Sequence, residues 1–275
     1  MRIFLYVNET KAGAVRTAAR LADRVRELGG TVVGPDEADV IVALGGDGTI
    51  LRCVREFPDA PVLGFNLGGL GYLSAVEAKD FDRALSLLAG GRYRIVERTR
   101  LGFTPNACAK PRRRGGAVRG VSPQALNDIV ITREMTGHAA MLDLSVDGHR
   151  PTRYLADGLV IATPTGSTAY SLSAGGPVVM PDSRSFVITP MNPHALGIRP
   201  LVVADSVRIR IASVSRADPG GRLGVYADGE SVAMLAPGEE VEIAKAERVA
   251  KFVELEGYDP YAVLAHKLGW TGTSL

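Results

Sequence analysis

Ile3-Phe4-Leu5-Tyr6-Val7 is an unbroken apolar run of strand length. Beyond it Ala18, Leu21, Ala22, Val25 and Leu28 recur at helical spacing and stop at Gly29-Gly30. That pattern predicts an amphipathic helix with a glycine C-cap. Val40-Ile41-Val42-Ala43-Leu44 reads as a second buried strand, Ile50, Leu51 and Val54 as the apolar face of another helix, and Val62-Leu63-Gly64-Phe65 as a third strand. Fully apolar strands separated by helices pair in parallel through crossovers, so this part is predicted to be a Rossmann-like α/β domain.

After about residue 94 the pattern changes to alternation with period two and frequent turn residues. Arg98 to Thr104, Leu126 to Thr132, Met141 to Val146, Ser185 to Thr189 and Val207 to Ile211 all read as strands, and Asp228-Gly229 as a hairpin turn. A mostly antiparallel β-sandwich follows. Asp259 to Leu268, with Pro260 in a first helical turn and Ala262, Val263, Ala265 and Leu268 apolar, predicts a terminal helix returning to the first domain. The expected division is 1–97 with 256–275 for the α/β domain and 98–255 for the β domain.

With 275 residues, 46% of them hydrophobic, the chain can bury two modest cores. Its 32 Lys and Arg against 30 Asp and Glu leave a net charge of +2, too small a surplus for general attraction to nucleic acid. An anionic ligand must therefore be held locally. Cys53 and Cys108 have neither disulfide-scaffold nor zinc spacing. No apolar run is long enough to span a bilayer, and the start resembles no secretory signal, so a soluble cytoplasmic protein is expected. The basic stretch Lys110 to Arg114, bounded by Pro111 and Gly115-Gly116, reads as a solvated loop tip and receives no function.

Gly45-Gly46-Asp47-Gly48-Thr49 lies between a buried strand and a helix, where free backbone N–H groups and the helix dipole favour an anion. A carboxylate there repels phosphate unless it has another task, such as taking a proton from a hydroxyl or holding a phosphate-bound cation. Helix capping is the plain alternative. The turn lacks GxxxxGK[ST] and the last glycine of GxGxxG, which excludes a P-loop and a standard dinucleotide fingerprint. A second glycine loop, Gly64 to Leu73, follows the third strand, and Tyr72 within it is a candidate to stack on a base. Farther on, Ala156-Asp157-Gly158 and the run from Thr163 to Pro177 gather hydroxyls, glycines, Asp157 and Tyr170 around an apolar strand. So many small polar groups need either a turn network or a ligand.

The Gly45 to Thr49 turn, the Asn66-Leu67-Gly68 to Tyr72-Leu73 segment, Asn127-Asp128, Ala156-Asp157-Gly158, Thr163-Pro164-Thr165-Gly166-Ser167-Thr168-Ala169-Tyr170 and Ser173-Ala174-Gly175-Gly176-Pro177, in this order, resemble the NAD kinase family. The likeness spans nearly the whole chain. The first turn is shared with diacylglycerol and sphingosine kinases, whereas the Thr163 to Tyr170 block is far more specific. The resemblance implies that ATP, with Mg²⁺ or another divalent cation, or polyphosphate, phosphorylates the 2′-hydroxyl of the adenosine ribose of NAD. It further implies that Asp47 accepts the hydroxyl proton, with Gly48 and Arg52 beside it. Asn127 and Asp128 would hold adenine and ribose, and His138 would be a further dinucleotide contact. Asp157 would meet the nicotinamide end, while Thr165, Thr168, Ala169, Tyr170, Ser171, Leu172 and Ser173 would line the substrate pocket. Asn192 and Glu230 would complete it, and Leu155 occupies a position where many relatives carry a basic residue. Metal ligands are unassigned, and a homodimer or homotetramer is expected. A lipid kinase sharing the glycine turn, and a non-catalytic NAD(H)-binding regulator, remain the alternatives.

Overall fold

The computed structural model describes all residues except 12, 69–70, 75, 106–109, 112–122, 134–138, 215–221 and 271–275. Two units emerge, Met1–Glu97 with Val249–Leu275, and Arg98–Arg248.

Unit 1 begins with β1 (Arg2–Val7), α1 (Ala14–Glu27), β2 (Thr31–Val32), β3 (Val40–Gly45), α2 (Asp47–Glu56), β4 (Val62–Asn66), β5 (Val76–Glu77), α3 (Phe81–Ala89) and β6 (Tyr93–Arg98). β1 pairs in parallel with β2 and β3, and β3 with β4. Every residue of β3 and β4 is buried, as continuous apolar strands covered on both faces must be. Leu21 and Val25 of α1 and Phe81, Leu85 and Leu88 of α3 fill the core with Leu44, Leu63 and Phe65. The Phe65 and Phe81 rings stack with centroids 4.4 Å apart.

Unit 2 comprises β7 (Leu101–Pro105), β8 (Lys110–Pro111), β9 (Gln124–Ala125), β10 (Asp128–Arg133), β11 (Ala140–Val146), β12 (Thr152–Ala156), β13 (Gly158–Ala162), the short helix α4 (Tyr170–Ser173), β14 (Ser185–Met191), β15 (Leu201–Ala204), β16 (Ile209–Ser213), β17 (Leu223–Ala227), β18 (Glu230–Leu235) and β19 (Glu240–Lys245). One sheet runs β15-β14-β13-β10-β17-β18-β8 and the other β12-β11-β16-β19-β7-β9. Their inward residues, among them Ile129, Ile131, Leu159 and Ile161 from one sheet and Leu142, Leu144, Ile211 and Ile243 from the other, form one core. This is the expected antiparallel sandwich.

The chain then returns to unit 1 as β20 (Ala250–Leu255) and α5 (Pro260–Lys267). The expected boundary after 255 falls instead at Val249, because β20 lies between β4 and β6 in the first sheet. Its sequence, Ala250-Lys251-Phe252-Val253-Glu254-Leu255, is neither continuously apolar nor strictly alternating and so does not choose a sheet. Its place is fixed by the parallel pairing of Phe252 with Val62 and by Glu254, whose carboxylate takes two bonds from Arg94 of β6 at 2.7 and 2.9 Å. α5 forms as expected, and the Asp259 carboxylate caps it by accepting from the Tyr261 and Ala262 N–H groups. Among the described residues no helix is long and apolar enough to cross a membrane.

Candidate active site

In unit 1 both glycine loops leave the carboxyl ends of strands, β3 for the first and β4 for the second. Asp47 is the first residue of α2, yet its carboxylate does not cap its own helix. Oδ2 accepts from Tyr72 N–H at 2.6 Å, and Oδ1 from Leu73 N–H at 3.1 Å, Ser74 N–H at 3.3 Å and Ser74 Oγ at 3.4 Å. The second loop therefore fixes the carboxylate of the first. Gly71 makes this possible, since a Cβ there would lie 1.9 Å from Asp47 Oδ1. The capping alternative is thus replaced by a clamp from another loop, and Asp47 stays partly exposed.

Gly45 has a comparable reason, for a Cβ would meet Thr49 Oγ1 at 2.1 Å. Gly48 differs: nothing lies within 4 Å of a Cβ built on it, and it is exposed. Neither packing nor positive φ demands glycine at 48, so the open face suits an incoming group. Arg52 is exposed on α2, more than a turn beyond Asp47.

Lys11 is a residue that sequence reasoning missed. Its Nζ would stand 3.5 Å from a Cβ on Gly46 and 3.4 Å from one on Gly68, so one ammonium lies against both glycine turns. The turn after β1 sets it there: the Asn8 carbonyl accepts from Lys11 N–H at 3.0 Å, and Asn8 Nδ2 donates to Thr49 Oγ1 at 3.2 Å. The available signal was position alone, a cation just past the carboxyl end of a parallel strand. One face of the Tyr72 ring, expected to stack on a base, is covered by Lys267 Nζ at 4.1 Å from its centroid.

In unit 2 the residues form two clusters at opposite ends of β13. At its start, Asn192 Nδ2 donates to Asp157 Oδ2 at 2.8 Å, and Leu155, 40% exposed, accepts through its carbonyl from His194 N–H. Asn192 has a left-handed φ of 45°, a conformation asparagine tolerates. At the far end Asn127 and Asp128 meet the Thr163 turn: Thr163 Oγ1 donates to the Leu126 carbonyl at 2.6 Å and accepts from Gly166 N–H at 3.0 Å, while Thr163 N–H donates to the Asn127 carbonyl at 2.9 Å. A Cβ on Gly166 would approach the Asn127 carbonyl oxygen to 1.9 Å. Six residues at strand rise separate the clusters by about 20 Å, a spacing that suits an elongated ligand read at both ends.

Asp228, at φ 47° in the hairpin, accepts from the N–H groups of Leu126, Asn127 and Asp128 at 2.8, 2.7 and 3.2 Å. It positions the Asn127-Asp128 pair, and Glu230 stands exposed beside it at the start of β18. Burial, and secondarily the Asp228 charge, push the Asp128 carboxyl up to about 7.

The Thr165 to Ser173 run divides. Thr165 is buried, and its carbonyl accepts from Thr168 Oγ1 at 3.3 Å. Ser171 Oγ is buried against Thr189 Oγ1 at 2.8 Å, which commits that hydroxyl to the protein. Thr168, Ala169 and Leu172 are half-buried, Ser173 is exposed, and Tyr170 is 46% exposed. His138 lies outside the described residues.

Profiles of the ATP-NAD kinase N-terminal and C-terminal domains match residues 31–93 and 126–255. The chain is 38% identical to an NAD kinase of Symbiobacterium thermophilum over 97% of this chain and 98% of that one. It is 42% identical to an NAD kinase of Carboxydothermus hydrogenoformans over 85% and 80%. Among solved structures, yeast NADH kinase complexed with NADH superposes with a TM-score of 0.79 at 27% identity, covering 100% of this chain and 89% of the other. An Archaeoglobus fulgidus NAD kinase in complex with ATP gives 0.79 at 27% identity, covering 99% and 100%.

Proposed function

The chain belongs to the NAD kinase family and is an enzyme that phosphorylates NAD with ATP, and on this premise we propose how its residues share the reaction. Asp47 accepts the proton from the 2′-hydroxyl of the adenosine ribose as the phosphoryl group arrives. One observation supports this above the others: three backbone N–H groups hold the carboxylate in a single orientation while it stays partly open to solvent. A fixed base needs no rearrangement when the hydroxyl arrives.

The open backbone at Gly48 and the Lys11 ammonium receive the donor's phosphates, whose charge must be offset for transfer to proceed. Arg52 contributes only at longer range. Asn127 and Asp128 hold adenine and ribose, with Asp228 fixing their backbone. Asp157, paired with Asn192, meets the nicotinamide end, and Tyr170, Thr168, Ala169, Leu172 and Ser173 shape the surface between, with Leu155 and Glu230 at its margins. Thr165 and Ser171 support that surface from beneath. His138 retains its proposed dinucleotide contact on the family resemblance alone, as do cytoplasmic location and a homodimeric or homotetrameric state.

Among the described residues no three His, Cys, Asp or Glu side chains cluster as metal ligands, and Asp47 already accepts four bonds. These donors fit a divalent cation that is carried by the donor's phosphates. Such a cation, Mg²⁺ with ATP, offsets charge on the transferring phosphoryl group.

The test combines a kinase assay with calorimetry. Wild-type protein converts NAD to NADP with ATP and Mg²⁺, whereas Asp47→Asn binds NAD normally and loses about 100-fold or more in kcat. Near-normal turnover by Asp47→Asn would remove the assigned base. Polyphosphate in place of ATP decides the donor range, and diacylglycerol as acceptor yields no product.

A further inference from the structure

Helix α5 ends on a lysine with an unusual environment. Lys267 Nζ is fully buried and has no hydrogen-bond partner among the described residues. It sits over the Tyr72 ring, 4.1 Å from the centroid, and the Tyr72 N–H donates the 2.6 Å bond to Asp47. Burial pushes the Lys267 amine down to about 8, and the Asp47 charge works against that fall. A methionine would cover the same ring without the desolvation penalty of an ammonium. The final turn of a helix favours a cation, but that preference is met equally by an exposed side chain such as the adjacent His266.

We propose that Lys267 is a positioning residue for phosphoryl transfer: by a cation–π contact it holds the ring of Tyr72, and so the loop N–H groups that orient Asp47, while its positive charge supports the anionic reaction centre. The inference rests on Asp47 being the proton acceptor. It also gives α5 a task in the reaction, tying a segment far along the chain to the second glycine loop. The titratable groups that reach Lys267 are Asp47 from the start of α2 and Tyr72 from that loop, whose phenol is itself pushed up by burial and then by Asp47. Cys53 on α2 and Tyr6 on β1 are pushed up to about 12, so neither titrates near pH 8.

The sign follows directly. Below pH 8 Lys267 is charged and the assembly is complete; above it the amine becomes neutral and the contact weakens. The kcat/KM profile, which reports the free enzyme, therefore falls through an alkaline limb near pH 8 in the wild type. Lys267→Arg keeps its charge, and its profile stays level past that point. Lys267→Met lowers kcat about tenfold to 100-fold, leaves the KM for NAD and for ATP within about twofold, and has no limb near pH 8. A merely structural lysine would leave the limb unmoved in both variants, and that result overturns the proposal, as does a Lys267→Met enzyme with wild-type kcat. Should Lys267→Met fail to fold in a melting experiment, the comparison of wild type with Lys267→Arg decides alone. Asp47→Asn assayed alongside separates the two ideas: an active Asp47→Asn refutes the base and this inference with it, whereas an inactive Asp47→Asn with an unaltered Lys267→Met refutes the lysine alone.

Discussion

Around Thr163 in unit 2, buried hydroxyls bond to one another and to backbone: Thr163 to the Leu126 carbonyl, Ser167 to Pro164 and Val179, Ser171 to Thr189. Around Asp47 in unit 1, the polar groups instead leave capacity for something outside the protein. Gly48 is open, Lys11 stands against two glycines, and the Lys267 Nζ is buried without a hydrogen-bond partner among the described residues. A satisfied buried network is rigid and sets a shape in advance, while unmet charge is costly until a ligand meets it. On the proposed assignment of roles, the contrast separates a preset binding surface from a phosphate site completed by its substrate. It also shows that a dense run of Ser and Thr need not mean that most of their hydroxyls touch ligand.

The contrast is broken most severely at Gly71. A Cβ at 1.9 Å from Asp47 Oδ1 evicts the carboxylate from its clamp, so Gly71→Ala is expected to lower kcat about 100-fold with NAD binding retained, as steady-state kinetics and calorimetry will show. The counterpart in unit 2 is Gly166, where the obstruction is the Asn127 backbone. Gly166→Ala should lower stability by about 1–3 kcal/mol and weaken NAD binding together, measured by denaturant unfolding and calorimetry. If it changed kcat alone, the preset character of unit 2 would be wrong. Lys11→Ala should raise the KM for ATP about tenfold and leave the KM for NAD unchanged, if that ammonium meets the donor's phosphates as proposed.

The remaining effect is a pH dependence, read only as a difference between two proteins across a pH window. The Asp128 carboxyl is raised from its usual range to about 7, so its ionisation opposes folding. Stability from this group is fully present below about pH 4 and is lost as pH rises through about 7. Asp128→Asn removes the dependence, and relative to wild type it should gain stability across that window by no more than about 4 kcal/mol. Melting curves of both proteins at stepped pH read the difference, and parallel curves would show that Asp128 ionises without penalty.

Much of the fold was legible in advance because burial on both faces leaves continuous apolar strands and burial on one leaves alternating ones. Val40 to Leu44 and Met141 to Val146 announced their sheets in this way. α3 carries the same kind of signal in Phe81, Ala84, Leu85 and Leu88, which are buried along one face. β20 could not be assigned by pattern, because Ala250 to Leu255 mixes apolar and charged residues without a clear period and only pairing places it in the first sheet. Asp47 and Asp157 stand in recognisable motifs and Asn192 follows from the family resemblance, but the bond between Asp157 and Asn192 depends on β13 and β14 lying side by side.

The order of residues along the chain thus determined the two kinds of layer, the glycine turns at strand ends and the carboxylate set among them, since these follow from local periodicity and backbone freedom. Which groups Asp47 bonds, why Gly71 and Gly166 have no side chain, and how Lys11 and Lys267 come to lie beside loops distant from them in sequence were decided only by tertiary packing. Contacts across 25 or more positions arise from where whole elements settle, and hydrophobic burial that settles them leaves no local mark at the polar residues it brings together.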